Sequence, residues 1–375
     1  MNGEKMKARV RHTLLRTPIV VRLLLASAAF IVIIVTVGIY ANKAMYDFTL
    51  SPDSPHTGLN ATGFLDTFVR YDGNRYTAVA EDGYAADITN TAFFPLYPLI
   101  VRGMSYITSV PISYMLFVVS WVFMVLSTIV LFFWSRFELQ QRKSDVSPWV
   151  TLGLVAIFPT SFFLILGYNE SLFLFLTVSA IFAYRKKNYW LTAILAALST
   201  ATRVQGCAIV IFFIADYVLS RDWKDWKKLI PVAAAPIGIF LYMGYLWQTF
   251  GNPFQFLVAQ AGWGRLSGSI LHNLVSSFTP PYLWFLPILV LGLWAIYRYV
   301  GKALFVYSLV FILLPLSSGR LDSLNRYMLC MPVLFLAIGL YLQTKSFTAR
   351  AIYIASSVFL LCWSMLLFMN GYWVG

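Results

Sequence analysis

Apolar runs separated by short polar connections repeat along most of the chain, and their lengths predict membrane-crossing helices rather than half-buried strands. The first run covers about residues 23–41. A polar stretch follows over 42–92, then a proline-interrupted stretch over 93–107 that is expected to re-enter the membrane or lie along its interface. Further apolar segments fall at 111–134, 149–166, 171–184, 189–201, 206–219, 229–247, 281–297, 303–318, 327–342 and 351–368. Counted with the first run, these predict about 11 transmembrane helices, several of them shorter than the roughly twenty residues of a full crossing.

Composition agrees with the pattern. The chain has 375 residues, 59% of them hydrophobic and 11% charged, with a mean hydropathy of +0.73. That is more apolar material than one soluble core needs, and it predicts an all-α polytopic membrane protein, a single domain over 1–375. The formal charge of +13 does not point to nucleic acid, because the basic residues are scattered through short connections between apolar runs. Placed on alternate sides, about 20 of the 28 lysines and arginines fall on one side, which makes that side cytoplasmic. Lys5, Lys7, Arg9, Arg11, Arg16 and Arg22 then hold the N-terminus inside, and the C-terminus comes out on the opposite face. The length of the first run and the lack of a convincing cleavage site predict a retained helix rather than a signal peptide.

The 42–92 stretch carries seven acidic residues against Lys43, Arg70 and Arg75, a net −4, and is expected outside as a catalytic loop containing short helices. Residues 63–80 within it can form an amphipathic surface helix. Asp72, in Arg70-Tyr71-Asp72-Gly73, is the leading general base: a carboxylate at the membrane surface can take a proton from a sugar hydroxyl. The structural alternative is a loop carboxylate paired with Arg70 or Arg75. Arg203 and Arg326, with Arg320 as a third candidate, sit at expected outer helix ends, where a lipid phosphate suits a guanidinium. Snorkelling or a structural ion pair would also place them there. Asn169 and Glu170 interrupt two apolar segments on the same face and can orient substrate or cap a helix. Gln205, close after Arg203, reads as a supporting residue. Trp263, Tyr282 and Trp284 are expected as interfacial anchors rather than sugar contacts. Cys207, Cys330 and Cys362, like His12, His56 and His272, are too scattered for a metal or redox site. No phosphate-binding glycine loop for ATP and no dinucleotide-binding glycine pattern is present.

These motifs, in order, resemble the PIG-V family of integral-membrane mannosyltransferases, within the GT-C superfamily. The resemblance runs through Arg70-Tyr71-Asp72, Gly83-Tyr84, the stretch Ala92 to Pro98, Phe158-Pro159-Thr160-Ser161, the stretch Gly167 to Phe173, Thr202 to Gly206 and Asn325-Arg326-Tyr327. Two departures stand out: Tyr71 replaces the family's usual tryptophan, and Ile88-Thr89-Asn90-Thr91 replaces an acidic or histidine-containing stretch. The first leaves the catalytic expectation intact; the second weakens any carry-over of acceptor recognition. The resemblance implies inverting transfer of a hexose, with mannose the leading expectation, from a polyprenyl-phosphate sugar to a glycan or glycolipid at the non-cytoplasmic face. In that scheme Asp72 deprotonates the acceptor hydroxyl, Arg203, Arg326 and Arg320 bind the donor phosphate, and Arg70, Tyr71, Asn169, Glu170 and Gln205 orient the substrates. No metal or other cofactor is required, because the donor already carries its leaving group. The expected partners are membrane lipids and the two substrates, in a bacterial inner membrane or an endoplasmic reticulum membrane. A transporter or flippase for a lipid-linked saccharide is the competing function, since it would use the same arginines and a lipid-sized groove.

Overall fold

The computed structural model describes residues 17–42, 44, 68–221, 223–263, 286–317 and 323–374. Among them there is no β-strand. The helices used below are α1 (Ile19–Ala41), α2 (Asp72–Asp82), α3 (Leu96–Thr108), α4 (Ile112–Gln141), α5 (Pro148–Ala156), α6 (Glu170–Arg185) and α7 (Tyr189–Thr202). They continue with α8 (Ala208–Ser220), α9 (Ile237–Phe250), α10 (Leu286–Ala295), α11 (Lys302–Leu316), α12 (Leu324–Leu329), α13 (Pro332–Gln343) and α14 (Phe347–Met369). Among the described residues, four stretches are long and apolar enough to cross a membrane: α1, α4, Trp226–Phe250 and α14. Shorter apolar helices include α7, α11 and α13. The fold is therefore all-α and membrane-associated, with several apolar helices.

Several expected segments differ from the observed helices. The 149–166 run is not one helix. It stops after Ala156, passes through a short 3₁₀ turn at Ser161–Leu164, and resumes only at Glu170. Pro159 lacks an N–H and disfavours helical geometry at Phe158, which accounts for the stop. A broken backbone inside an apolar environment needs partners for its polar groups, and α4 supplies them. Trp121 Nε1 donates to the Ile165 carbonyl at 2.9 Å, Ser120 Oγ to that of Tyr168 at 3.0 Å, and Ser127 Oγ to that of Ser171 at 2.9 Å. The 327–342 run likewise divides into α12 and α13, with Pro332 opening the second. The surface helix expected over 63–80 begins at Asp72; residues 63–67 lie outside the described residues.

The break places the start of α6 in the interior, beside the end of α7 and the short α12. At its other end, α6 presents Arg185 to Glu138 at 3.0 Å and to Asp216 at 3.7 Å. Arg142 also pairs with Glu138 and donates to the carbonyls of Tyr299 and Val300. The described residues thus form two polar centres at opposite ends of one 16-residue helix, about 24 Å apart along its axis.

Candidate active site

Tyr71 sets the approach to the site. Its backbone has φ +58°, a region that costs a non-glycine residue energy and persists only where the surroundings hold it. The Tyr71 hydroxyl donates to the Gly371 carbonyl, and its ring packs 5.0 Å from Trp373 and 5.6 Å from Phe368. The resulting turn makes Asp72 the first residue of α2, where a carboxylate interacts favourably with the helix dipole.

Asp72 Oδ2 accepts from Arg326 Nη1 at 2.8 Å. The Asp72 side chain keeps 27% exposure, whereas Arg326 is 2% exposed and Glu170 fully buried. One oxygen, Glu170 Oε1, takes three donors: Arg203 Nη2 at 2.8 Å, Arg326 Nη2 at 2.7 Å and Arg326 Nε at 3.0 Å. Two cations and two carboxylates therefore balance formally at this centre, as burial at low dielectric demands. Aromatic rings supply the walls. Arg326 lies 4.9 Å from the ring centroid of Phe163, 5.0 Å from Tyr168 and 5.2 Å from Trp373; Arg203 lies 5.1 Å from Tyr327. Arg203 Nη1 has a weaker partner, Cys330 Sγ at 3.8 Å.

The structure brings together Asp72, Glu170, Arg203 and Arg326 of the residues singled out from the sequence. Asn169 is the N-cap residue of α6 but makes no side-chain capping bond; its Nδ2 donates to the Thr202 carbonyl at 3.0 Å and fastens the end of α7 to the start of α6. Arg70 is buried, and its carbonyl accepts the Tyr168 hydroxyl at 2.6 Å. Gln205 is buried in the 3₁₀ turn after Arg203. Glu170 Oε2, Asn169 Oδ1 and Gln205 Oε1 are buried acceptors without a hydrogen-bond partner among the described residues. Arg320, Tyr282, Trp284 and the Trp263 side chain lie outside the described residues. Trp373 and Phe163 are contributors that sequence reading missed, and Asn325 was read only as part of the Asn325-Arg326-Tyr327 motif, with no role of its own. Asn325 adjoins Arg326 and carries a local signal; Trp373 carries none.

An apolar cavity of about 210 Å³ lies between α1, α4 and α5, lined in part by Phe30, Met124, Leu131, Leu164 and Leu174. Two of its lining residues are sequence neighbours of residues at the charged centre: Leu174 sits one turn along α6 from Glu170, and Leu164 follows Phe163. Among the described residues, no group of three or more His, Cys, Asp or Glu side chains is placed to hold a metal.

Comparison with known proteins now adds to this geometry. Over 294 residues the chain is 24% identical to GPI alpha-1,6-mannosyltransferase 2 of Mus musculus, covering 64% of this chain and 59% of that protein. Against the Cricetulus griseus protein of the same name, identity is 27% over 207 residues, covering 49% and 41%. The chain thus spans about half the length of the curated relatives it matches. The crystal structure of ArnT from Cupriavidus metallidurans bound to undecaprenyl phosphate superposes with a TM-score of 0.52 at 12% identity, covering 92% of this chain and 76% of ArnT, a likeness of fold. The sequence profile of the family described as Mannosyltransferase (PIG-V) matches residues 11–234, which include Asp72, Glu170 and Arg203. By that match, over more than half its length, the chain belongs to the PIG-V mannosyltransferase family.

Proposed function

We propose that this protein transfers a hexose, mannose in the first instance, with inversion from a polyprenyl-phosphate sugar to an extracytoplasmic glycan or glycolipid acceptor. The observation that carries the reading is the meeting of a partly exposed Asp72 with two caged guanidinium groups on a shared buried Glu170. Family membership and the ArnT-like fold support it. ArnT is recorded with undecaprenyl phosphate bound, and the apolar cavity between α1, α4 and α5 suits part of an isoprenoid chain.

The charges suggest an order of events. A polyprenyl-phosphate sugar is a phosphodiester with one negative charge. Entering the site, it would take Arg326 Nη1 from Asp72 and add the remaining donors of Arg203, with Glu170 still spacing the two cations. Asp72, released, would face the acceptor hydroxyl. As the acceptor oxygen bonds to the anomeric carbon, its proton passes to Asp72, the anomeric carbon–oxygen bond breaks, and polyprenyl phosphate leaves with both electrons of that bond. Charge grows on the phosphate oxygens during this step, so the arginines stabilise the transition state more than the ground state. Arg320, which lies outside the described residues, is retained as a third phosphate ligand.

On this reading the chain is a single integral-membrane domain with about 11 crossings. Its site faces the periplasm of a bacterial inner membrane or the lumen of the endoplasmic reticulum, with the 42–92 loop as part of the catalytic roof. The test supplies purified protein with polyprenyl-phosphate mannose, the glucose analogue and a panel of glycan and glycolipid acceptors, and analyses products by mass spectrometry. Mannosylated acceptor with release of polyprenyl phosphate supports the proposal. Movement of the lipid-linked sugar across a vesicle membrane with no bond cleaved would replace it with the flippase reading.

A further inference from the structure

Beyond α14 the chain folds back over the charged centre. Asn370 Nδ2 donates to the Ala41 carbonyl at 2.8 Å, tying this segment to the end of α1. Gly371, at φ +81°, reverses the direction, and its carbonyl accepts the Tyr71 hydroxyl. The Val374 carbonyl accepts Asn325 Nδ2 at 2.5 Å, from the residue next to Arg326. Between these anchors Trp373 packs 5.0 Å from Tyr71, 6.3 Å from Phe163 and 5.2 Å from the Arg326 guanidinium carbon. Phe163 and Tyr168, the other rings around that guanidinium, are fully buried, and Trp373 is only half-buried.

We propose that Trp373 is a positioning residue for donor binding: its indole closes the aromatic cage that holds the Arg326 guanidinium plane, so that the guanidinium edge serves Glu170 and Asp72 and, on exchange, the donor phosphate. In the resting site the N–H groups of Arg326, bonded to Glu170 and Asp72, set the guanidinium plane from its edge. Once the Asp72 bond is exchanged, only one carboxylate oxygen is left, and the side chain can turn about it. Aromatic faces then hold the plane, because the guanidinium stacks on them while its N–H groups point outward along its edge. The anchors of residues 370–374 reach α1, the Tyr71 turn and α12, three of the elements that converge on the site. The family profile ends at residue 234, far from this segment. The inference rests on the reading of Arg326 as a phosphate ligand.

The test uses the purified full chain and three variants, Trp373→Ala, Trp373→Leu and Trp373→Phe, with two readouts. One is the rate of phenylglyoxal labelling at Arg326, followed by peptide mass spectrometry. The other is the Kd for farnesyl phosphate in detergent micelles. Trp373→Ala should label Arg326 several-fold faster and weaken farnesyl phosphate binding roughly fivefold to thirtyfold, the scale of a lost partly desolvated cation–π contact. Trp373→Phe should recover most of the binding, and Trp373→Leu, which fills space without a ring face, should not. Equal binding by the Leu and Phe variants, or wild-type labelling and binding in Trp373→Ala, overturns the positioning role. If the Ala variant does not fold, the Leu–Phe comparison still decides. Should the wild-type chain not bind farnesyl phosphate while Trp373→Ala labels faster, the cage stands. The phosphate reading then falls, and with it the donor part of this proposal.

Discussion

Glu170 fixes two cations relative to one another through a single oxygen, with no part of its side chain exposed. Removing one partner of a buried ion pair leaves uncompensated charge and costs on the order of 3–5 kcal/mol. Glu170→Gln is therefore expected to lower the thermal midpoint in detergent and to reduce turnover, through disordered arginines rather than a lost reacting group. A wild-type midpoint in that variant would show that the arginines find another countercharge. Asp72→Asn should behave differently: folding and farnesyl phosphate binding persist, while turnover falls by roughly 10²-fold or more, the scale of lost general-base help. Near-normal turnover would remove Asp72 from the mechanism. At the rim, the Thr89 hydroxyl and N–H, with Arg75, hold the Asp87 carboxyl below its usual range. A depressed folded-state pKa gives stability that is present above the unfolded value and lost as pH falls through the folded one. The protection of the Thr89 amide, its exchange rate relative to that of an unstructured peptide at the same pH, should accordingly fall on acidification below about pH 4 and be highest at neutral pH; protection that does not change across that range would contradict it. The residue types at the centre could be picked out from short motifs, because carboxylates and arginines stand out against apolar runs. Their pairing could not. Glu170 meets Arg326 across 156 positions, and nothing local in the sequence says that the two arginines share it.

Whole helices follow the hydrophobic pattern where the chain is regular and depart from it where proline or close packing intervenes. The α7 and α14 segments were legible almost to their ends; the 149–166 run was not, because its apolar residues outweigh Pro159 in a hydropathy average, which is blind to the missing N–H. The break matters to the site: it places Phe163 and Tyr168 around Arg326 and lets α6 begin at Glu170. A second contact is set by size. Gly238, near the start of α9, lies directly against the Ala197 carbonyl oxygen and Thr200 of α7, and a Cβ there would overlap both. Small residues of this kind let helices in a membrane approach closely. Gly238→Ala should separate α9 from α7 and destabilise the fold by about 1–3 kcal/mol, the usual range for overpacking, read as a lower midpoint in a thermal shift. Because Arg203 directly follows the last residue of α7, a loss of farnesyl phosphate affinity should accompany it. An unchanged midpoint would mean that the two helices are not held at the spacing seen here.

At the scale of the molecule, the polar groups gather at two ends. One end holds Asp72, Glu170, Arg203 and Arg326; the other holds Glu138, Arg142, Arg185, Asp216 and Lys228. Charge alternation along the sequence assigns these two sets to opposite faces of a membrane, and α6 bears one member of each set at its two ends, Glu170 and Arg185. This separation leads to a topology prediction that does not depend on enzymatic activity. Glu81, in the last turn of α2, and Lys224, in the connection after α8, are both exposed. In a background with the exposed Cys362 replaced by serine, Glu81→Cys should react with a membrane-impermeant maleimide applied from the extracytoplasmic side, and Lys224→Cys only after permeabilisation. The basic residues around Lys224 give the physical reason, since lysine and arginine in short loops are retained on the cytoplasmic side. Labelling of both cysteines from one side would place the acidic loop and the basic connections together, and a site that receives an extracytoplasmic acceptor through Asp72 would then have to be abandoned.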